Sequence, residues 1–370
     1  MSARIFVDTV PWFIRPNNTD WRYHFALRSI PQYVKGIDFY YPTGFAHAFG
    51  VNARYAVGAV RARLGFAGAP SHAARLDAAE LARSGCNVVF NHGGYPSNAG
   101  GVPVLWQNSI LDPAMQIAFG APGTIEAEEI EAKRAGFERA AAIQVSTDAE
   151  KVRLSRYYPH IAENIFSIPF FGDYLRAVDP QEVAAKHRRE TIRLLFVGRE
   201  ARRKGLDILL AAMKLLDWPR LKQCSATIVS ACSDGEVALP DWPNLEYLRS
   251  ASRARVIELM RDAHVFAMPS RFESYGLTFI EAMASGAVPL VPDWEVQREI
   301  VDDGQAGCIV KPAPEAVAAG IQGLLTQAAM RQKLALAGLG RFRDYFAPEP
   351  VARRYANAFA HCLARGKVGS

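Results

Sequence analysis

The chain has 370 residues, half of them hydrophobic and 22% charged, with a net charge of +6. That length exceeds one ordinary core and suits two domains of roughly 150–200 residues each. The composition is that of a soluble globular protein, and with no run of about 18 apolar residues no membrane-spanning helix is expected.

In chain order, the first element is an apolar run, Ile5–Val10. It is short and interrupted by Asp8, so a buried strand is expected there rather than a signal peptide. Further strand-like runs lie at Asn87–Phe90, Val102–Trp106 and Ala142–Val145. Helical patterns cover Asn52–Leu64, Ser71–Ser84 with Ser71 as N-cap, and Ile125–Ala141. Between Pro11 and Phe49 stand eleven aromatic residues, from Trp12 and Phe13 to Phe45 and Phe49. Such side chains stack on sugars and favour membrane surfaces, and the plainer reading is that they pack the first domain.

The turn-like Phe170-Phe171-Gly172-Asp173 and the break at Asp179-Pro180 place the join between Pro169 and Gln181. A second α/β unit follows. Strands are expected at Ile192–Val197, Ala226–Val229, His264–Met268 and Val288–Val291, with helices at Leu206–Leu216 and Leu277–Ala284. A last helix is expected over Pro348–Ala364. Strands alternating with helices predict, twice over, a parallel sheet covered on both faces, with ligands at the strand C-terminal ends. The five cysteines (Cys86, Cys224, Cys232, Cys308, Cys362) are odd in number and form no CxxC, which predicts lone buried thiols in a reducing cytosol, without disulfides or zinc.

The most informative stretch runs from Pro269 to Gly286. A strand leads into a glycine-containing loop carrying Glu273, and a helix follows with Glu281 about one turn inside it, about 7 Å further along the axis. The unpaired N–H groups at the helix start make a ready site for phosphate. Two carboxylates so spaced can hold hydroxyls on either side of a diphosphate. Taken alone, the spacing is better read as Glu273 capping the helix and Glu281 pointing to solvent. The apolar Ala282-Met283-Ala284 after Glu281 argues for burial, and a buried carboxylate needs partners. The second stretch, Leu194 to Asp207, has a strand ending in Gly198-Arg199 and a helix opened by Lys204-Gly205. Two cations there can clamp a diphosphate and meet the charge that develops as it leaves. The plain alternative is a solvated basic face over 186–204, and Arg202 and Arg203 are read as surface charges. No GxGxxG, GxxxxGK[ST] or Asp-x-Asp pattern occurs.

The Pro269–Gly286 stretch resembles the E-x7-E signature of retaining glycosyltransferases with the GT-B fold, in particular glycosyltransferase family 4. Glu299–Gly304 and Gly307–Val310 resemble that family's following strand and loop, so the likeness covers most of residues 190–325. The resemblance implies an α/β protein of two Rossmann-like domains facing across a cleft. Residues 1–172 form the acceptor-side domain, with the helix 348–364 packing back on it, and residues 173–347 bind the nucleotide sugar. It implies retaining, metal-independent transfer of a hexose from a nucleotide-diphosphate sugar, a substrate, with no cofactor and no metal site. The acceptor is a glycan, a lipid-linked hydroxyl or another hydroxyl. The donor contacts carried over are Gly198, Arg199, Lys204, Glu273, Ser274, Tyr275, Gly276, Leu277, Thr278 and Glu281. Arg199, Lys204 and Glu273 are the catalytic candidates, with Glu273 on a sugar hydroxyl and Glu281 on the ribose.

Asn87–Gly94 resembles the family strand that ends in a cleft-facing histidine, here His92. Val102–Ser109 resembles the next strand, where Gln107 and Asn108 replace the histidine of many members. These three are the acceptor-side candidates. The family's paired-glycine loop is missing after Val10, and Phe170-Phe171-Gly172 replaces its usual Asn-Gly-Val. The expected location is cytoplasmic, with peripheral contact at the inner membrane face permitted by the basic balance and no nucleic-acid partner. The alternatives are a GT-B nucleotide-sugar epimerase or phosphorylase, and a non-catalytic glycan- or nucleic-acid-binding protein. The presence of all four of Arg199, Lys204, Glu273 and Glu281 weighs against the last.

Overall fold

The computed structural model describes residues 2–9, 27, 29–40, 78–92, 101–107, 134–172, 174–231 and 237–366. The chain divides into two compact units, residues 1–173 with 348–370 and residues 174–347.

The first unit is built on six parallel strands in the order β2-β1-β3-β4-β5-β6. They are β1 (Ala3–Thr9), β2 (Ile37–Tyr40), β3 (Val88–His92), β4 (Val104–Gln107), β5 (Ala142–Val145) and β6 (Ile165–Ser167). A strand's side chains alternate between faces, and both faces of this sheet are buried. Ile5, Val7, Val88 and Phe90 meet Val351, Tyr355 and Phe359 of the C-terminal helix, Pro348–Gly366. Phe6, Val89 and Val104 pack with Leu81 on the other face, where helix α1 (Ala78–Ser84) lies. Helix α2 (Asp148–Tyr157) begins in a capping box. Thr147 Oγ1 accepts the Glu150 N–H at 3.1 Å, and the Glu150 carboxylate accepts the Ser146 N–H at 2.8 Å.

The expected helix over Asn52–Leu64 lies outside the described residues. So do the first seven residues of the Ser71–Ser84 helix and most of Ile125–Ala141, of which residues 134–139 are helical. Of the eleven aromatics, Tyr33, Phe39 and Tyr40 are described. Phe39 packs edge-on against Phe359 and Tyr40 stacks on Phe6, so those two serve the core. The strand they help form, β2, is hidden in the sequence because it is a four-residue edge strand inside an aromatic-rich segment, too short for its alternation to stand out.

The second unit has six parallel strands in the order β12-β11-β10-β7-β8-β9. They are β7 (Ile192–Val197), β8 (Cys224–Val229), β9 (Leu245–Leu248), β10 (Val265–Ala267), β11 (Val288–Pro292) and β12 (Cys308–Val310). Its helices are α3 (Pro180–His187), α4 (Leu206–Leu215), α5 (Arg253–Asp262), α6 (Leu277–Ala284), α7 (Glu295–Ile300), α8 (Pro314–Thr326) and α9 (Ala328–Arg341); the C-terminal helix above is α10. The order is that of a doubly wound sheet. The chain works outward from β7 to β9, then returns to place β10 on the other side of β7. That reversal leaves a crevice beyond the carboxyl ends of β7 and β10. Of the two stretches that resemble the family's following strand and loop, Glu299–Gly304 is the end of α7 and a 3₁₀ turn, and Gly307–Val310 holds strand β12. No helix among the described residues is long and apolar enough to cross a membrane.

Far from that crevice the second unit holds a buried cationic cluster. Lys186 Nζ donates to the carbonyls of Arg261 and Ala263 at the end of α5 and to Ser285 at the end of α6, at 2.8–3.1 Å. Arg331 donates to Leu324 near the end of α8 and to His187 at the end of α3, at 2.6 and 3.2 Å. Orphan carbonyls at helix C-termini are thus met by cations. Part of the basic run 186–204 is therefore interior rather than solvated, since Lys186 and His187 are 4% and 1% exposed.

His264 accepts the Arg193 N–H on Nδ1 at 3.1 Å and sits 2.9 Å from the Lys186 carbonyl through Nε2, which fixes the neutral Nε2–H tautomer. Burial pushes His264 down to about 3 and His187 down to about 4, and the nearby Lys186 and Arg331 charges add to this. These rings bind protons in the unfolded chain below about pH 6.5 and stay neutral in the folded one. Their contribution is therefore full above pH 6.5 and is lost as pH falls toward 4. Each ring gives a slope of up to about 1.4 kcal/mol per pH unit in that window. Acidification from pH 7 to 5 is expected to cost this unit about 3 kcal/mol. Urea midpoints at the two pH values check it, and equal midpoints would show that the rings already carry charge in the fold.

Candidate active site

Two loops meet at the carboxyl ends of β7 and β10. After β7, Gly198 and Arg199 lead into a turn that ends at Lys204 and Gly205, where α4 starts. After β10, Pro269 to Gly276 form the second loop and α6 starts at Leu277. Gly205 has a φ of 75°, and a Cβ there would lie 2.1 Å from the Pro269 carbonyl oxygen. Only glycine permits this approach, and it brings the start of α4 against the start of the Glu273 loop.

Further contacts tie the loops together. Arg271 makes a two-pronged ion pair with Asp207 in the first turn of α4, both bonds at 2.7 Å, which raises the arginine and holds the Asp207 carboxyl below its usual range. The Arg271 N–H donates to the Arg203 carbonyl at 2.9 Å. Arg203 donates to the Phe272 carbonyl at 3.1 Å and is paired with Glu200. Arg203 is thus a loop tie, not the surface charge expected. Gln297 of α7 donates to the Tyr275 carbonyl at 2.8 Å.

On this frame Lys204 Nζ and the Glu273 carboxylate form an ion pair. Their side chains are 16% and 7% exposed, so the pair is largely withdrawn from water. The Lys204 stem lies over Gly198, where a Cβ would come within 2.9 Å of it. Arg199 is exposed, and no hydrogen bond or ion pair engages it among the described residues.

Helix α6 starts at Gly276, whose φ is 96°, and no side chain caps it. Helix α4 likewise starts at a left-handed glycine without a side-chain cap. Both starts direct partial positive charge into the loop region. Around α6, Ser274 is exposed, Tyr275 and Gly276 are buried, and Leu277 and Thr278 are half-buried. Glu281 is 8% exposed and accepts a hydrogen bond from the Tyr174 hydroxyl. The isolated-motif reading of Glu281 as a solvent-facing carboxylate is thereby excluded.

The structure sets Lys204 against both Gly198 and Glu273 and leaves Arg199 at the surface of the same loop. Sequence reasoning missed Tyr174, Arg271, Asp207 and Gln297. Arg271 stood inside the recognised motif and its charge was the available signal. Nothing local marks Tyr174, which bonds Glu281 across 107 residues.

In the first unit, His92 ends β3 and Gln107 ends β4, and the parallel register pairs them directly. Thr9 at the end of β1 is paired with His92 in turn. Two of the three acceptor-side candidates are therefore neighbours along the sheet's carboxyl edge, while Asn108 lies outside the described residues. No group of three or more His, Cys, Asp or Glu side chains suited to a metal ion occurs among the described residues.

Residues 179–339 match the family of glycosyl transferases group 1. A D-inositol 3-phosphate glycosyltransferase of Thermobifida fusca is 26% identical over 260 residues, 65% of this chain and 60% of that protein. A phosphatidyl-myo-inositol mannosyltransferase of Mycolicibacterium smegmatis is 32% identical over 150 residues, 39% of this chain and 38% of that one. The chain thus spans 60% or less of the length of these curated relatives. Among solved structures, Anabaena HepE in complex with UDP and glucose superposes with a TM-score of 0.61 at 12% identity, covering 97% of this chain and all of that one. Sucrose-phosphate synthase from Thermosynechococcus elongatus gives 0.62 at 16% identity, covering 99% and 100%. At such identities the likeness shows the fold, which is GT-B.

Proposed function

We propose that this protein transfers a hexose from a nucleotide-diphosphate sugar to a hydroxyl acceptor, with retention at the anomeric carbon and without a metal ion. The observation that carries the reading is the Lys204–Glu273 pair at the β7/β10 switch point. It lies beside an uncapped helix start, with the buried Glu281 further along that helix. The group 1 match over residues 179–339 supports it.

In this reading Lys204, Arg199 and the amides of Leu277 and Thr278 take the diphosphate. Glu273 holds a hydroxyl of the sugar and Glu281 a hydroxyl of the ribose. The bond from the anomeric carbon to the diphosphate oxygen breaks, and the acceptor oxygen bonds to the same face. The acceptor's proton passes to the leaving phosphate oxygen, so no side chain acts as a strong base. Charge building on the diphosphate meets fixed cations and amide dipoles, which stabilise it without reorganisation. His92, Gln107 and Asn108 serve the acceptor. The relatives' names pair sugar transfer with inositol-bearing acceptors, so polyol hydroxyls are the acceptor class to test first.

The test is thermal unfolding with UDP-, GDP-, ADP- and CMP-sugars. One nucleotide class is expected to stabilise the fold, by about 2.7 kcal/mol at a hundredfold excess over its Kd. With that donor, nucleoside diphosphate release should depend on added acceptor. Release only in the presence of acceptor argues against an epimerase, which interconverts two nucleotide sugars without net release of the diphosphate, and dependence on inorganic phosphate would point to a phosphorylase. Stabilisation by none of the donors would overturn the reading.

A further inference from the structure

Glu281 is buried on α6, and its carboxylate is not left to choose its own direction. Tyr174, the residue that opens the second unit, donates its hydroxyl proton to Glu281 Oε1. The Tyr174 ring is held in turn. The guanidinium of Arg253, in the first turn of α5, lies over it at 4.2 Å from the ring centre. A carboxylate that is 8% exposed cannot rely on water for orientation. A fixed donor to one oxygen sets both the plane of the group and the lone pairs that an incoming hydroxyl meets. Binding is strongest where such a group is ordered before the ligand arrives.

We propose that Tyr174 is a positioning residue that presents Glu281 to the ribose diol of the donor, with Arg253 holding the tyrosine ring in place. This rests on the reading of Glu281 as the ribose holder. Tyr174 itself touches the carboxylate and not the reacting atoms. It acts on donor capture and leaves the transfer step alone.

The test is Tyr174→Phe, which keeps the ring and its stack with Arg253 and removes only the hydroxyl. With the donor found by thermal stabilisation, KM is expected to rise about tenfold, the scale of one hydrogen bond to a charged group, while kcat stays within about twofold. The decisive comparison uses donors lacking the 2′- or the 3′-hydroxyl of the ribose. The unaltered protein should lose at least about tenfold in kcat/KM toward one of them, and Tyr174→Phe should lose clearly less, because its Glu281 is already misaligned. An unchanged KM in Tyr174→Phe overturns the proposal, and so does an equal deoxy-donor penalty in both proteins, which is the mark of a merely structural role. If the unaltered protein binds the donor but is indifferent to both ribose hydroxyls, the ribose assignment of Glu281 fails and this inference with it. If it binds no nucleotide sugar at all, the proposed function fails first.

Discussion

Lys204→Ala is expected to lower sugar transfer by about a thousandfold, because it removes the fixed cation that meets charge on the leaving diphosphate. The structure adds a second consequence. Lys204 is the ion-pair partner of Glu273, and the Glu273 side chain is 7% exposed. Removing one member of a buried pair leaves the other charged and unpaired, a loss of about 3–5 kcal/mol. A fall in activity could then reflect lost stability alone. The double variant Lys204→Ala with Glu273→Gln separates the two. The neutral amide has no charge to strand, so urea unfolding should return most of the stability. Transfer should stay low, because the cation and the carboxylate that holds the sugar hydroxyl are both missing. Transfer that recovers together with stability would show that Lys204 only props the loop.

Gly205→Ala is expected to carry the largest stability cost, at least about 4 kcal/mol. Its φ of 75° already disfavours any side chain. Its Cβ would also lie 2.1 Å from the Pro269 carbonyl oxygen, a backbone atom that cannot turn aside. The start of α4 must then draw back from the Glu273 loop. That separation undoes the Lys204–Glu273 pair, and donor-induced stabilisation should disappear even where part of the protein remains folded. The comparison is Gly340→Ala in α9. There an added Cβ meets nothing within 4 Å and no positive φ is required. That change should be neutral or stabilise by about 0.5–1 kcal/mol through the unfolded chain. Equal urea midpoints for Gly205→Ala and the unaltered protein would mean that the two loops do not approach as closely as described.

Four strands of the second unit, β7, β8, β10 and β11, were legible in the sequence to within two residues at each end. Ile192–Val197 and Leu277–Ala284 have the expected bounds, because a largely apolar strand and a short apolar helix announce themselves by composition and by the glycines that follow them. Shorter or more polar elements did not. Strand β9, Leu245–Leu248, is half-buried at the sheet edge and carries Glu246, so no apolar run marks it. The acceptor-side candidates divide similarly. His92 and Gln107 could be named from their strands, but only the pairing register makes them neighbours.

By itself the sequence determined the residue types and the local frame: Glu273 in a loop, Glu281 inside a helix, Lys204 and Gly205 at a helix start. Each follows from spacing and turn chemistry over a few residues. Only the tertiary structure decided who faces whom. Lys204 meets Glu273 across 69 residues and Tyr174 meets Glu281 across 107. Those meetings depend on strand order, which places β10 beside β7 although two other strands intervene in the chain. Hydrophobic periodicity records which face of an element is buried and carries no record of its neighbour. Order is settled when whole sheets and helices bury their faces together, and there Gly205 gives up its side chain so that two loops can touch.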